Sequence, residues 1–522
     1  MKSRTFDFTF ILFSIIIAVF GAIIGMQLIT TLGITPNTSI IGALIAMLIA
    51  RIPLQMFNKY RSLENQNLVQ TTISAATFGA ANSLLIPIGL PFVMGMPELI
   101  IPMLIGAGIA LFIDVFILYK VFDSKLFGAN EVWPPGVATA EALKAGDEGG
   151  NKAKYLGFGI AGGVIGSHLG ISMSAFGVAF IGNIWALTMF GIGLLLRGYS
   201  PQLIGLDLND YYIPHGMMIG SGIVALLQFI IILMKSNQDR KKSKELTEHS
   251  EYTRTNHDVQ RGFGIGYGLY VFGAIFVAII GGLFTEMSLM KIIFFVLFAA
   301  FAALVSEIIV GIAAMHSGWF PAFAVTLISL LIGLIIGFPP IALALLTGYT
   351  AATGPAFADL GYDFKTGFII RNSASMEQEL YGRRQQLKSA IIGFIIAIVM
   401  VSLFADNFFS QDLVPPVNHV YAATIDSGLS GNIAWLLVLW AIPGAIIQLI
   451  GGSTRQMGIM FATGLLIVNP IAGWAVLAGI IIRIIILKVK GQEAENTMYT
   501  TAAGFIAGDA IYEFFTSVWR AR

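Results

Sequence analysis

The chain has 522 residues, of which 56% are hydrophobic and 11% charged, and its formal net charge is +1. Soluble domains carry roughly a quarter of their residues charged, so a water-soluble globule is excluded, and a charge balance this even gives no field to attract nucleic acid. Cysteine is absent; disulfides, thiolate metal sites and cysteine nucleophiles are therefore ruled out, no metal site or cofactor is expected, and the bacterial cytoplasmic membrane is the compartment that fits.

Lys2 and Arg4 precede an apolar run from Phe8 to Leu32. The run is too long for a signal-peptide core and lacks a small-x-small cleavage site, so it reads as a first span with the N-terminus on the cytoplasmic side. Further candidate spans lie near 37–57, 71–95, 98–121, 155–180, 181–198 and 213–234. Those of the second half lie near 262–283, 290–316, 319–338, 339–356, 388–410, 433–451, 455–468, 470–488 and 497–518. The pattern predicts an all-α polytopic membrane protein with about 14–16 transmembrane segments, some broken or re-entrant. No Gly-x4-Gly-Lys-Ser/Thr pattern occurs, so transport driven by nucleotide hydrolysis within this chain is not expected.

Basic residues concentrate in four breaks: Lys59 with Arg61, Lys120 through Lys154, Lys235 through Arg261, and Lys365 through Lys388. The positive-inside rule makes these cytoplasmic. Between the second and third breaks three apolar segments stand where an even number is required. The sequence places the irregularity at 200–218, where Pro201, Asp207, Asp210 and Pro214 interrupt the apolar pattern. Broken backbone at membrane depth is tolerated only where it lines protein or water, so that region points toward a pathway.

Glu141, Gly146, Lys152, Gly157, Phe158, Ile160 and Ala161 recur with the same gaps as Glu377, Gly382, Lys388, Gly393, Phe394, Ile396 and Ala397. This predicts two duplicated halves, 1–234 and 262–522, joined by a charged cytoplasmic linker at 235–261, with the substrate site between them.

Two polar breaks are candidates for that site. Tyr211, Tyr212, Pro214 and His215 open a Gly-rich helix whose free N–H groups would suit an anionic substrate. Thr347 through Pro355 contains Tyr349, Thr350, Thr353 and Gly354, followed by Asp359 and Asp363; hydroxyls, glycines and a proline there leave backbone groups for a neighbour or a ligand to satisfy. Arg455, after Gly451 and Gly452, could meet a substrate carboxylate or serve as a positive-inside anchor. His168, in a Gly-rich stretch, reads as a packing residue more readily than as a ligand.

The stretch Trp133-Pro134-Pro135-Gly136-Val137-Ala138-Thr139-Ala140-Glu141, the stretch Tyr212-Ile213-Pro214-His215-Gly216-Met217-Met218-Ile219-Gly220, the Thr347-Gly348-Tyr349-Thr350 run through Gly354-Pro355, and Ala507-Gly508-Asp509 together resemble the oligopeptide transporter superfamily across nearly the whole chain. The resemblance implies secondary, proton-coupled uptake of small peptides, or of metal chelated by an amino-acid-derived ligand, on about sixteen spans built by duplication. Asn-Pro-Gly and Lys-Ile-Pro-Pro-Arg are absent, so the chain looks nearer the yellow-stripe-like and bacterial branch than the eukaryotic peptide branch. The expected partners are a peptide or metal–ligand complex, protons, lipid and, in an assembly, further copies of the chain.

Ionisable residues inside apolar runs cost about 2.5–3.5 kcal/mol on insertion scales and mark candidate coupling sites. Glu307 is the sharpest, with no Lys or Arg between Lys291 and Lys365. Asp509 and Glu513 stand four apart on the last span, on one helix face that Gly504 and Gly508 bring close to a neighbour; they could share a proton, or pair with Arg483. A passive channel is the alternative function. An intramembrane aspartyl protease is weaker still, because residue 506 is Ile where Gly-x-Gly-Asp requires Gly, and no His-Glu-x-x-His or Gly-x-Ser-x-Gly motif supports an enzyme.

Overall fold

A computed structural model describes residues 8–32, 38–50, 55–148, 150–242, 252–318, 321–373, 375–428 and 433–520. Helices α1 (Phe8–Leu32) and α2 (Thr38–Ala50) precede α3 (Leu63–Phe78), which passes through a π-helical segment, Gly79–Leu85, into α4 (Ile86–Val93). Then follow α5 (Ile100–Val121), α6 (Pro134–Glu148), α7 (Gly150–His168), α8 (Met173–Ile181), α9 (Ile184–Ile204) and α10 (Ile213–Lys242). The second half holds α11 (Asn256–Ile280), α12 (Leu283–Glu286), α13 (Leu289–Ser317), α14 (Ala322–Ile336), α15 (Pro340–Ala351), α16 (Pro355–Arg371) and α17 (Met376–Phe409). It closes with α18 (Val417–Ser427), α19 (Ile433–Arg455), α20 (Met457–Leu466), α21 (Pro470–Lys490) and α22 (Glu495–Arg520). Among the described residues there is no strand, and nine helical stretches are long and apolar enough to cross a membrane. Of the predicted linker, 243–251 lie outside the described residues, as do Lys2 and Arg4.

The run near 155–180 is two helices, α7 and the nine-residue α8, rather than one span. At 1.5 Å per residue α8 is about 13 Å long, less than half a hydrocarbon core. In the 200–218 region α9 runs through Pro201 to Ile204, Gly205 ends it at φ +67°, and α10 begins at Ile213.

A short helix in an apolar setting exposes unpaired N–H groups at one end and carbonyls at the other. Asp509 of α22 meets the first end, accepting from the Ser174 N–H at 2.7 Å and from the Ser167 hydroxyl. Arg483 of α21 meets the second, donating to the Ala179 carbonyl at 3.3 Å and to the Gly182 carbonyl at 2.7 Å. A carboxylate at the N-terminus and a guanidinium at the C-terminus both oppose the helix dipole. Asp509 and Arg483 therefore do not form the bridge offered above as an alternative; they hold opposite ends of α8.

The two halves interleave through glycine contacts. A Cβ on Gly159 of α7 would lie 2.4 Å from the Thr501 carbonyl of α22, and one on Gly504 would lie 2.5 Å from the Leu156 carbonyl. The same reciprocal pattern joins α9 to α20 at Gly193 and Gly464, and α10 to α19 at Gly220 and Gly444. On α17, Gly393 sits against Thr72 of α3, the sequence position that matches Gly157 of α7. Without a hydrophobic force between lipid-embedded helices, such close backbone approach supplies the packing energy.

Burial and polarity are inverted at the centre. The spans 63–93 and 340–371 are 94% buried, yet they are the least apolar of the nine. The polar side chains they carry face one another inside the bundle.

Candidate functional site

The α15/α16 break sits at this centre. Thr347, Thr350 and Thr353 turn their hydroxyls onto the Leu343, Leu346 and Thr350 carbonyls at 2.7–2.8 Å, relieving backbone acceptors near the end of α15. Gly354, at φ +95°, then starts α16 with Pro355 in its first turn. A residue with a side chain is strained at that angle, and a Cβ there would lie 2.9 Å from Val310. The Gly354 N–H has no intrahelical partner and donates to Asp114 Oδ2 of α5 at 2.6 Å, a helix cap supplied by another segment.

The other Asp114 oxygen leads to Glu307. The Tyr270 hydroxyl of α11 lies 2.5 Å from Asp114 Oδ1 and 3.0 Å from Glu307 Oε2 of α13. Tyr349 fixes this bridge by donating to the Tyr270 carbonyl at 3.0 Å with the rings edge to face, and the Ser306 hydroxyl donates to the Thr353 carbonyl at 3.2 Å. Asp114, Tyr270 and Glu307 have no solvent exposure. Glu307 Oε1 has no hydrogen-bond partner, and neither Asp114 nor Glu307 forms an ion pair with Lys or Arg among the described residues.

The hydrogen count is informative. A phenol has one hydrogen, while Tyr270 makes two oxygen–oxygen contacts. The phenol alone cannot fill both contacts. The group therefore has the geometry of two acids sharing one proton through a tyrosine.

The structure gathers Tyr349, Thr350, Thr353 and Glu307 here and leaves the other predicted residues elsewhere. The hydroxyls of Thr350 and Thr353 donate to the Leu346 and Thr350 carbonyls of their own segment. Tyr211 is exposed in the α9–α10 connection, and Tyr212 adopts φ +54° beside His215, which is 3% exposed. That connection is tied by an Arg197–Asp207 ion pair. α10 starts at Ile213, after this connection. Arg455 is exposed, its guanidinium 4.8 Å from the Trp185 ring, as suits an anchor. His168 stands edge to face with Tyr512. Glu513 lies in α22, but its side chain is outside the described residues.

Sequence reasoning passed over Asp114 and Tyr270. Asp114 carried the same signal as Glu307, a lone acid in an apolar run, so it was detectable; Tyr270 was not, because tyrosines are common at span ends. The Trp133 motif proves to be a brace. Its backbone N–H donates to the Met315 carbonyl at 2.8 Å, its indole N–H to the Gly128 carbonyl at 3.1 Å, and its ring fills the space opposite Gly361.

These helices, nine of the described stretches long and apolar enough to cross a membrane and with polar side chains clustered at the centre, define an all-α multi-pass membrane protein. A family model described as OPT oligopeptide transporter protein matches residues 7–205 and 168–520. The chain belongs to that family, which is one of transporters. Among curated proteins none matches it.

Proposed function

We propose that this protein is a secondary active transporter that couples proton entry to uptake of small oligopeptides or peptide-like metal chelates across the bacterial cytoplasmic membrane, with its N-terminus and basic loops inside. Membership of an oligopeptide transporter family supports the substrate class. The observation that carries the coupling is the Asp114–Tyr270–Glu307 group, two buried carboxyls joined by one hydroxyl hydrogen at a break between two half-helices.

Such a group gains and loses a proton at the cost of local hydrogen bonds alone, with no cation to displace. Because Asp114 also caps α16, a change in its charge changes the strength of that cap, which links protonation to the position of the broken helix. Tyr349, on the last turn of α15, joins the same network and is the best-placed of the predicted substrate residues to sense it. Asp509 fits a structural role, because both of its oxygens are engaged in holding α8.

The test is accumulation of labelled di- to pentapeptides and of iron or nickel chelates by protein reconstituted in liposomes, with the interior pH set above or below the exterior. An inward proton gradient should drive uptake above equilibrium. If nothing in either class crosses under any imposed gradient, the proposal fails.

A further inference from the structure

The seam between α5 and α17 is open along one side. The two helices run antiparallel: Gly108 faces the Ile398 side chain midway, the Arg383 guanidinium donates to the Phe122 carbonyl at one end, and the Phe92 and Phe409 rings stack at 4.8 Å beside the other. Between them runs a groove of about 600 Å³. Its floor is made by Gly108, Val401 and Ala405, with Ile88 of α4 behind them, all buried. Its rim is apolar and exposed, as at Ile101 and Ile105.

Length and charge decide what fits. On α5 the lining runs from Ile100 to Phe112, about 18 Å at 1.5 Å per residue, close to one leaflet of a hydrocarbon core about 30 Å thick. An apolar groove of that length, open sideways, suits one acyl chain; the backbone groups of a peptide would go unsatisfied in it. The only polar residues in the lining are Ser402 and Asp406, in the C-terminal part of α17, at the end where Ile100 opens α5. The Ser402 hydroxyl is taken by the Ile398 carbonyl at 2.7 Å. The Asp406 carboxyl is exposed and makes no hydrogen bond or ion pair among the described residues. Glu98, just ahead of Ile100, and Asp412, just beyond α17, are acids too, and no Lys or Arg occurs between Arg61 and Lys120 or between Lys388 and Arg455. An anionic headgroup is therefore disfavoured at this mouth. A primary ammonium offers three hydrogens to a carboxyl, and a quaternary one offers none.

We propose that the α5/α17 groove is a lipid site, holding one acyl chain of a phospholipid whose headgroup carries a primary ammonium, as in phosphatidylethanolamine, with that ammonium on Asp406. The chain ends near Phe112, two residues short of Asp114 and about 200° around α5 from it. The lipid thus packs against the back of the helix that carries Asp114 and fills the gap that α17 leaves beside it. The site stands apart from proton coupling, and no transport step is routed through it.

Native mass spectrometry of the full-length protein, released from vesicles of equal parts phosphatidylethanolamine, phosphatidylglycerol and phosphatidylcholine, counts the lipids that each molecule keeps. The wild type should keep one phosphatidylethanolamine in about threefold preference to either other lipid, the scale of a single exposed charged contact. Asp406→Asn should keep a lipid and lose the preference. Gly108→Leu should lose the lipid itself: a Cβ there meets nothing nearer than Ile398 Cδ1, at 3.4 Å, so the helices have room for a side chain that then fills the groove. Circular dichroism identifies a variant that fails to fold, and Asp406→Asn, a change of one exposed group, keeps the test open if Gly108→Leu does so. Equal retention of the three lipids overturns the proposal, as does a preference for phosphatidylglycerol. So does a preference unchanged in Asp406→Asn, or a full complement of phosphatidylethanolamine in Gly108→Leu. A protein dimer that forms as the lipid is lost overturns it too, since the groove would then be a contact between copies.

Discussion

Glu307 and Asp509 look alike in the sequence, each an acid embedded in an apolar helix, and the structure gives them opposite surroundings. Asp509 meets the Ser174 N–H with one oxygen and, with the other, the Ser167 hydroxyl, which also reaches the Gly163 carbonyl at 2.7 Å; it completes the N-terminus of α8. Glu307 shares one hydroxyl with Asp114 and has an oxygen left over. A buried carboxyl engaged at both oxygens serves as part of the scaffold. One that shares a hydrogen with another acid has a vacancy for a proton. The distinction lies in the partners around each oxygen, a second acid and an unpartnered oxygen at Glu307 against a helix N-terminus at Asp509, which burial alone does not reveal.

The largest effect should come from removing the vacancy. Glu307→Gln keeps the size of the side chain and a hydrogen bond to Tyr270, so folding should survive, while gradient-driven accumulation in liposomes should fall by tenfold or more, roughly the effect of losing an essential proton carrier. Exchange of substrate across the membrane should persist. If the variant still concentrates substrate with the wild-type pH dependence, Glu307 resembles Asp509 after all, and the comparison breaks. Tyr270→Phe should lower the coupled rate less, because the two acids remain but must exchange their proton without the bridge.

The reverse pattern is expected at α8. Asp509→Asn turns one acceptor oxygen into a donor facing a donor, and Arg483→Ala leaves the Ala179 and Gly182 carbonyls bare. Each should lower the stability of the solubilised protein by about 1–3 kcal/mol, the cost of an unsatisfied buried polar group. Proton coupling per molecule of folded transporter should be unchanged. Loss of coupling without loss of melting temperature in Asp509→Asn would move that residue to the functional side.

How much of this was legible follows from the kind of signal each residue gives. Glu307 was visible because a charge in an apolar run is costly wherever it sits, and the α15/α16 break because Gly354-Pro355 constrains backbone locally. The break before α8 was hidden: the 155–180 run is apolar on average, and Ser167, His168 and Gly170 beside the break are residues that membrane helices also carry. The α5/α17 groove could not be read either, since it depends on two helices far apart in the sequence meeting at Gly108 and Ile398. The prolines and acids from Pro201 to Pro214 are equally compatible with a connection between α9 and α10 and with a broken span.

A smaller effect separates a packing bond from the proton group itself. Tyr349→Phe removes one hydrogen bond, to the Tyr270 carbonyl, and leaves every carboxyl in place. Stability should drop by about 1 kcal/mol, read as a modest fall in melting temperature, with the proton dependence of uptake retained. A lost pH dependence would show that Tyr349 does more than position Tyr270.

The least effect is expected at a third kind of acid, Asp207, outside the spans. The Asn209 N–H, at 2.8 Å, and the Arg197 guanidinium hold its carboxyl below the usual carboxylate range. A depressed acid contributes stability that is present above its unfolded value, about 4, and is lost as pH falls through the folded one. Its side chain is 40% exposed, so screening keeps the contribution below about 1 kcal/mol. Wild type should therefore melt slightly above Asp207→Asn at neutral pH, and the gap should close on acidification. A gap that widens in acid would mean that this loop, too, takes up a proton as it works, and that the division between scaffold acids and working acids extends beyond the membrane interior.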